Sequence, residues 1–241
     1  MNGIVRITII TVVKNGASHL EETILSVIEK KATTTDIDYL IIDGGSTDGT
    51  TDIIRKYSDQ ISYWISEPDS GIYDAMNKGW AAAADGSFIM FLGAGDRIIS
   101  LPDITSCHKN DVVYGDVLMG EKTVFKSRAD FHLNLYNSLH HQALLVNKSV
   151  YPSPPFNCRY RIYADFDFNQ RLKKLGANFS YSPDFIGYAH PGGVSDRSCF
   201  SESVSVISAN YGFMWSVLAF SAYYVMKIFP FLMRLRPFRT I

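Results

Sequence analysis

Cysteine is scarce in this chain: Cys107, Cys158 and Cys199 are the three in 241 residues, far apart and odd in number. That excludes a disulfide framework and a thiolate metal cluster, and it fits a reducing cytoplasmic compartment. An excess of one charge is lacking too, since 23 basic residues face 24 acidic ones for a net charge of -1. Without a basic tract or a reader motif, the chain lacks the electrostatic footprint of a nucleic-acid-binding protein. No secretory signal precedes Arg6 to Val13, a short β-branched run that predicts a buried strand, so folded domain is expected from the N-terminus onward. Two nucleotide motifs are missing as well. The turn from Gly44 to Thr50 has neither the phosphate-reaching lysine of a P-loop nor a G-x-G-x-x-G fingerprint. Phosphoryl transfer and dinucleotide redox chemistry therefore lose ground.

Apolar material is plentiful, at 46% of the residues, enough for one large α/β domain or two small ones without staples. Strand and helix signals alternate through the first hundred residues, which predicts a parallel sheet covered by helices. After the first strand, Ser18-x-x-Glu21 reads as a capping box for a helix carrying Leu20, Ile24, Leu25 and Ile28 on one side. Tyr39 to Asp43 is a second buried strand, followed by a glycine-rich turn and a helix to about Tyr57. Pro68-Asp69-Ser70-Gly71 is a turn opening a helix from Ile72 to Ala84, which Gly86 closes. The apolar strand Phe88 to Leu92 then empties into Gly93-Ala94-Gly95-Asp96, where missing side chains leave room for a ligand beside one carboxylate.

From about Leu101 the alternation weakens and a second lobe begins. It has strands at Val112 to Met119, Thr123 to Lys126 and Ala143 to Val146, a helix from Asp165 to Leu175, and a strand from about Phe185. That strand leads to His190 and the glycine-rich loop Gly192-Gly193-Val194-Ser195. At the C-terminus, Phe213 to Met226 is almost wholly apolar, Lys227 and Pro230 interrupt it, and Arg234, Arg236 and Arg239 follow without an acid. Before Lys227 the run is shorter than the roughly 20 residues that span a bilayer. An interfacial or re-entrant helix pair at a membrane surface is expected, against the alternative of a helix packed on the domain.

Ligands in such sheets bind beyond the carboxyl ends of strands, and Asn15, Asp43, Asp69 and Asp96 all fall just there. Asp43 could accept hydrogen bonds from a base or ribose, or Ser46, Thr47 and Asp48 could simply cap the next helix. Asp96 suits a hard divalent cation beside a departing diphosphate, or a salt bridge with Arg97. Asp165 could take a proton from an acceptor hydroxyl with Asp167 nearby, or cap its helix. His140, His141 and His190 could bind a metal or a phosphate, or be structural.

Taken together, these segments resemble the inverting family 2 glycosyltransferases of the GT-A fold, in particular small bacterial enzymes that build surface polysaccharides. The resemblance runs over roughly residues 5 to 195. It is carried by Thr11-Val12-Val13-Lys14-Asn15, by Ile42 to Thr50, by Glu67 to Gly79, by Tyr163-Ala164-Asp165-Phe166-Asp167 with Arg171, and by Gly192 to Ser195. It implies an α/β, Rossmann-like, mostly parallel sheet flanked by helices, with an apolar helical tail. Residues 1–100 would bind the nucleotide sugar, 101–200 the acceptor, and 201–241 a membrane.

By the same resemblance Thr11, Val13 and Asp43 bind the nucleoside, Asp69 the nucleotide sugar, Asp96 a Mg²⁺ or Mn²⁺ ion, and Asp165 is the base. Asn15, Gly45, Lys78, Asp167 and His190 complete the expected substrate-binding set. The donor would be a UDP-sugar. The acceptor would be a saccharide or a polyprenyl-linked saccharide, handled by a peripheral enzyme on the inner face of the plasma membrane. The chain departs from the family at Gly93-Ala94-Gly95-Asp96, where relatives carry more than one carboxylate, and at Ala164, where glutamate is common. A catalytically silent nucleotide-sugar-binding subunit is the alternative.

Overall fold

The computed structural model describes residues 6–33, 36–103, 111–121, 123–192 and 199–234. Cys107, the loop residues Gly193, Val194 and Ser195, and the tail arginines Arg236 and Arg239 lie outside them. The first half alternates as the hydrophobic pattern predicts: β1 (Ile7–Val13), α1 (Leu20–Thr33), β2 (Ile37–Asp43), α2 (Thr50–Lys56), β3 (Tyr63–Ser66), α3 (Ile72–Ala82) and β4 (Phe88–Gly93). The second half holds β5 (Arg97–Ser100), β6 (Val112–Met119), β7 (Thr123–Phe125), β8 (Leu144–Asn147), α4 (Ala164–Lys174), β9 (Phe179–Ala189), α5 (Phe200–Tyr211) and α6 (Phe213–Arg234).

One nine-stranded sheet runs through both halves in the order β3-β2-β1-β4-β8-β6-β9-β5, with β7 on β6. β1 lies parallel to β2 and β4, and β2 parallel to β3. Beyond β4 the sheet is mixed: β8 runs antiparallel to β4 and β6, β7 antiparallel to β6, β9 parallel to β6, and β5 antiparallel to β9. Parallel neighbours need a crossover of a dozen residues or more, usually a helix. Among the described residues no α-helix lies between α3 and α4, so that half turns back on itself.

The sheet is covered on both faces, which is why β1 and β2 read as unbroken apolar runs. Ile10, Val12, Leu40 and Ile42 face one core with Met76 and Trp80 of α3, and Ile7, Ile9, Tyr39 and Ile41 face the other with Leu20, Ile24 and Val27 of α1. α3 sits close on β1 because of Gly79: a Cβ there would lie 2.4 Å from Ile10 Cγ2. The parallel register then aligns the strand ends, pairing Val13 with Asp43, Asp43 with Ser66 and Val12 with Gly93. Asn15, Asp69 and Asp96 consequently emerge at one edge.

The C-terminal helices differ from the expected interrupted pair. α6 continues past Lys227 and Pro230 to Arg234, since a proline removes one backbone donor and can bend a helix without ending it. Phe200 of α5 stacks on Tyr223 of α6 with ring centroids 4.3 Å apart, and Ala219 is buried beneath. The outward face of α6 leaves Phe213, Met214, Leu218 and Val225 more than half exposed. Among the described residues no helix is long and apolar enough to cross a membrane.

Candidate active site

A cavity of about 670 Å³ opens where β1 and β4 end, bounded by the start of α3, by Asp165 of α4 and by His190 after β9. Val13, Asn15, Asp69, Asp96, Asp165 and His190 of the expected set all line it. Asn15 adopts a left-handed backbone conformation (φ 52°) that asparagine tolerates. Its Oδ1 accepts from Thr47 N–H at 2.9 Å, tying the first strand end to the glycine-rich turn. Asp69 accepts from Gly71 N–H at 3.0 Å and lies directly over Gly44, where a Cβ would come within 2.1 Å of its Oδ2. Gly44 is therefore the space that lets Asp69 lean into the site.

Asp96 is buried, and protein donors hold it from three sides. Its Oδ2 accepts from Gly93 N–H at 2.8 Å and from Gln142 Nε2 at 3.1 Å, and its Oδ1 accepts from His190 N–H at 2.9 Å. A carboxylate offers about four lone-pair directions, so about one remains toward the cavity. The glycines before it serve this clamp. Gly95 has φ 97°, and a Cβ there would meet the His190 ring at 2.7 Å; the space left by the missing side chain is filled by His190 rather than by a ligand. The His190 ring packs in turn on His19 at 4.3 Å.

Asp165 stands at the start of α4, where the helix dipole favours an anion. Phe166 N–H donates to its Oδ1 at 2.8 Å and Asn137 Nδ2 to its Oδ2 at 3.2 Å, while the single proton of Tyr73 Oη is shared between Ile162 O at 2.5 Å and Asp165 Oδ1 at 3.2 Å. His141 lies between the two acids, with Nε2 3.9 Å from Asp96 Oδ2 and Nδ1 3.9 Å from Asp165 Oδ2. Those separations exceed a hydrogen bond, so the attraction is one of charge. Burial works against the imidazolium, but the Asp165 and Asp96 carboxylates outweigh it and hold the His141 pKa above its ordinary 6.5. Burial likewise disfavours the Asp165 carboxylate, yet His141 and the Phe166 N–H keep its pKa below the ordinary 3.8.

These shifts fix a sign for stability. His141, raised in the fold, contributes stability that is complete below pH 6.5 and lost as pH rises through its folded value. Asp165, lowered, contributes stability present above pH 3.8 and lost only as pH falls through its folded value. In thermal melts without added metal, the wild-type midpoint is expected to decline upward from pH 6.5, and His141→Gln to be flatter over that interval. Equal slopes in the two proteins would refute the charge bridge.

Five expected residues lie outside the lining. Thr11 is fully buried with its hydroxyl 3.0 Å from Tyr39 Oη. Asp43 is also fully buried: Oδ2 accepts from Ser46 N–H at 3.0 Å and from Ser66 Oγ at 2.5 Å, and Oδ1 accepts from Ser46 Oγ. A carboxylate so engaged pins the turn between β2 and α2 and ties it to the end of β3. Gly45 packs against the Pro68 backbone, and Lys78 holds the same segment through Pro68 O at 3.0 Å and Glu67 at 2.8 Å. Asp167 is buried and pairs with Arg171 Nε at 2.9 Å and Asn210 Nδ2 at 2.8 Å. It fastens α4 to α5. Conversely, Tyr73, Asn137 and Gln142 hold the two acids with no sequence signal beyond an ordinary polar side chain.

Residues 8–98 match the family model described as Glycosyl transferase family 2. The chain is 33% identical over 150 residues to a PGL/p-HBAD biosynthesis glycosyltransferase of Mycobacterium bovis, covering 56% of this chain and 58% of the relative. It thus spans a little over half the length of that relative. An uncharacterised glycosyltransferase of Mycobacterium tuberculosis is 37% identical over 100 residues, covering 42% of this chain and 37% of its own. Among solved structures, the S. aureus TarS segment 1–349 in complex with UDP superposes with a TM-score of 0.67 at 16% identity, covering 85% of this chain and 65% of that one. A mannosyltransferase from Pyrobaculum calidifontis in complex with GDP-Man and Mn²⁺ gives 0.60 at 14% identity, covering 99% and 83%. Over residues 8–98 the chain is thus similar to family 2 glycosyltransferases, and it has the GT-A glycosyltransferase fold.

Proposed function

We propose that the protein is an inverting glycosyltransferase that moves a sugar from a nucleotide-diphosphate donor to a hydroxyl of a saccharide or lipid-linked acceptor in surface polysaccharide synthesis. The observation that carries this is the position of Asp165, an ionised carboxylate on the wall of the same cavity that Asp69 and Asp96 line. Structural relatives bind a nucleoside diphosphate or its sugar, UDP in the TarS complex and GDP-Man in the mannosyltransferase complex, and the former favours a UDP-sugar here.

In the reaction, the acceptor oxygen attacks the anomeric carbon while its proton passes to an Asp165 oxygen. The bond between the anomeric carbon and the diphosphate oxygen breaks, and its electron pair leaves with the nucleoside diphosphate. Displacement from the opposite side inverts the anomeric centre. Tyr73 and Asn137 hold the carboxylate in place, and His141 keeps it ionised until the hydroxyl arrives. Asp69 faces the donor side, where Gly44 leaves it room.

The residues fit a divalent cation of one kind. Among the described residues no group of three or more His, Cys, Asp or Glu side chains could hold a metal ion. Asp96 with its one remaining lone-pair direction suits an ion that takes a single carboxylate plus substrate phosphates, as Mg²⁺ commonly does. Bound there, the ion would neutralise charge on the departing diphosphate.

The test is nucleoside diphosphate release by the purified protein from a panel of nucleotide sugars, with and without a membrane-lipid or oligosaccharide acceptor fraction. Acceptor-dependent release is expected with one donor. Donor binding without any release would establish the silent nucleotide-sugar-binding subunit instead.

A further inference from the structure

A second cavity, of about 720 Å³, lies between the 131–137 segment and the α5 and α6 helices. His141, Ile162 and Asp165 line both cavities, so these three residues form the partition between them. The walls of the second chamber are Phe131, Leu135 and Tyr136 on one side, and Phe200 of α5 with Ala222 and Tyr223 of α6 on the other. The stack of Phe200 on Tyr223 fixes that aromatic wall. At the partition Asn137 and Asp165 present polar atoms, joined by a hydrogen bond of 3.2 Å, and His132, Tyr163, Ser203 and Tyr223 add polar atoms along the walls.

An occupant of this chamber must therefore have two parts. The end at the partition carries a hydroxyl or other polar group that Asp165 can accept from. The part that lies on Phe131, Leu135, Phe200, Ile207 and Ala222 is apolar, because hydroxyls find no partner there, while His132, Ser203 and Tyr223 place polar atoms along the same chamber for groups near the head. The volume is in the range that buries a drug-sized ligand.

We propose that this chamber binds the carrier of the acceptor, an alkyl or isoprenoid chain whose hydroxyl-bearing end lies at Asp165 opposite the donor. α5 and α6 are on this account walls of the acceptor site. The inference rests on the assignment of Asp165 as the proton acceptor, and its test is made by binding so that it does not depend on turnover.

The probes are methyl, hexyl and octyl β-D-glucosides, titrated calorimetrically below micelle-forming concentrations into the full chain. Affinity is expected to rise about tenfold from hexyl to octyl, as burial of two methylenes requires. Ala222→Trp and Ser203→Phe, which fill the chamber from α6 and from α5, should each lower octyl affinity tenfold or more while UDP affinity stays within about twofold. Octyl binding no tighter than methyl would overturn the proposal. So would tight octyl binding unchanged in both variants with UDP affinity intact, because the chain would then be adsorbed on the outer face of α6. Chain-length-dependent binding without any donor turnover would leave the chamber standing and remove the transferase reading. Turnover indifferent to carrier and variants would do the reverse.

Discussion

Asp165→Asn is expected to lower the rate of sugar transfer by about 10²- to 10⁴-fold, the usual contribution of a positioned general base. Its donor affinity should stay within about twofold of wild type. The amide keeps the shape of the carboxylate and can still accept from Phe166 N–H and Tyr73 Oη on one oxygen. What it cannot do is take a proton. Asp167→Asn is the internal control: its carboxylate is buried against Arg171 and Asn210, so its loss should lower the melting midpoint while leaving the rate within several-fold. Release of nucleoside diphosphate under saturating donor, with melting curves for both variants, decides the matter. Equal activity of wild type and Asp165→Asn would refute the assignment, as would folded Asp167→Asn being equally dead.

Asp96→Ala is expected to lose at least about a hundredfold in rate, within the range for removing a group that stabilises charge in the transition state, and unlike Asp165→Asn it should soften the fold. The methyl group leaves Gly93 N–H, His190 N–H and the Gln142 amide without their acceptor. A buried donor left unmade costs about 1–3 kcal/mol. For a chain of this size that is a fall of about 2–10 °C in the melting midpoint. The cation should reveal itself through linkage. In wild type, Mn²⁺ alone should raise the midpoint little, because the chain supplies a single partly engaged carboxylate, while Mn²⁺ with UDP should raise it more than the two added separately. In Asp96→Ala that surplus should vanish. Tight Mn²⁺ binding without UDP, or a surplus that survives the substitution, would contradict this view of Asp96.

The parallel half of the sheet was legible because buried parallel strands write themselves as short β-branched runs, as in Ile7 to Val13 and Tyr39 to Asp43, punctuated by turn residues. The mixed half was not. β5 is four residues, Arg97 to Ser100, and it is a strand because β9 pairs with it across most of the second half of the chain. β9 begins at Phe179, well before the expected Phe185, through a polar stretch, Ser180 to Asp184, that pairing with β6 holds extended at its first residues. Local pattern carries no trace of such partners.

The site divides the same way. Asp69, Asp96 and Asp165 were visible as carboxylates at element ends, and they do line the cavity. Asp43 and Asp167 look identical in sequence. Only the fold shows that Ser66, 23 positions on, and Asn210, 43 positions on, have already engaged them. His140 and His141 are adjacent and indistinguishable by type. The fold turns the ring of His140 onto Phe125 at 4.3 Å and sets that of His141 between two acids. Gly93 and Gly95 read in sequence as room for a ligand, and at Gly95 that room accommodates the His190 ring.

The most direct test of the account is the configuration of the sugar first released when the purified protein is incubated with the α-linked nucleotide sugar that it turns over, water standing in for the acceptor. Proton NMR recorded before mutarotation reads it without knowledge of the acceptor. One displacement assisted by Asp165 predicts the β-anomer, with Asp165→Asn slowing its appearance at least about a hundredfold. Initial appearance of the α-anomer, or hydrolysis that proceeds unchanged in Asp165→Asn, would contradict the mechanism.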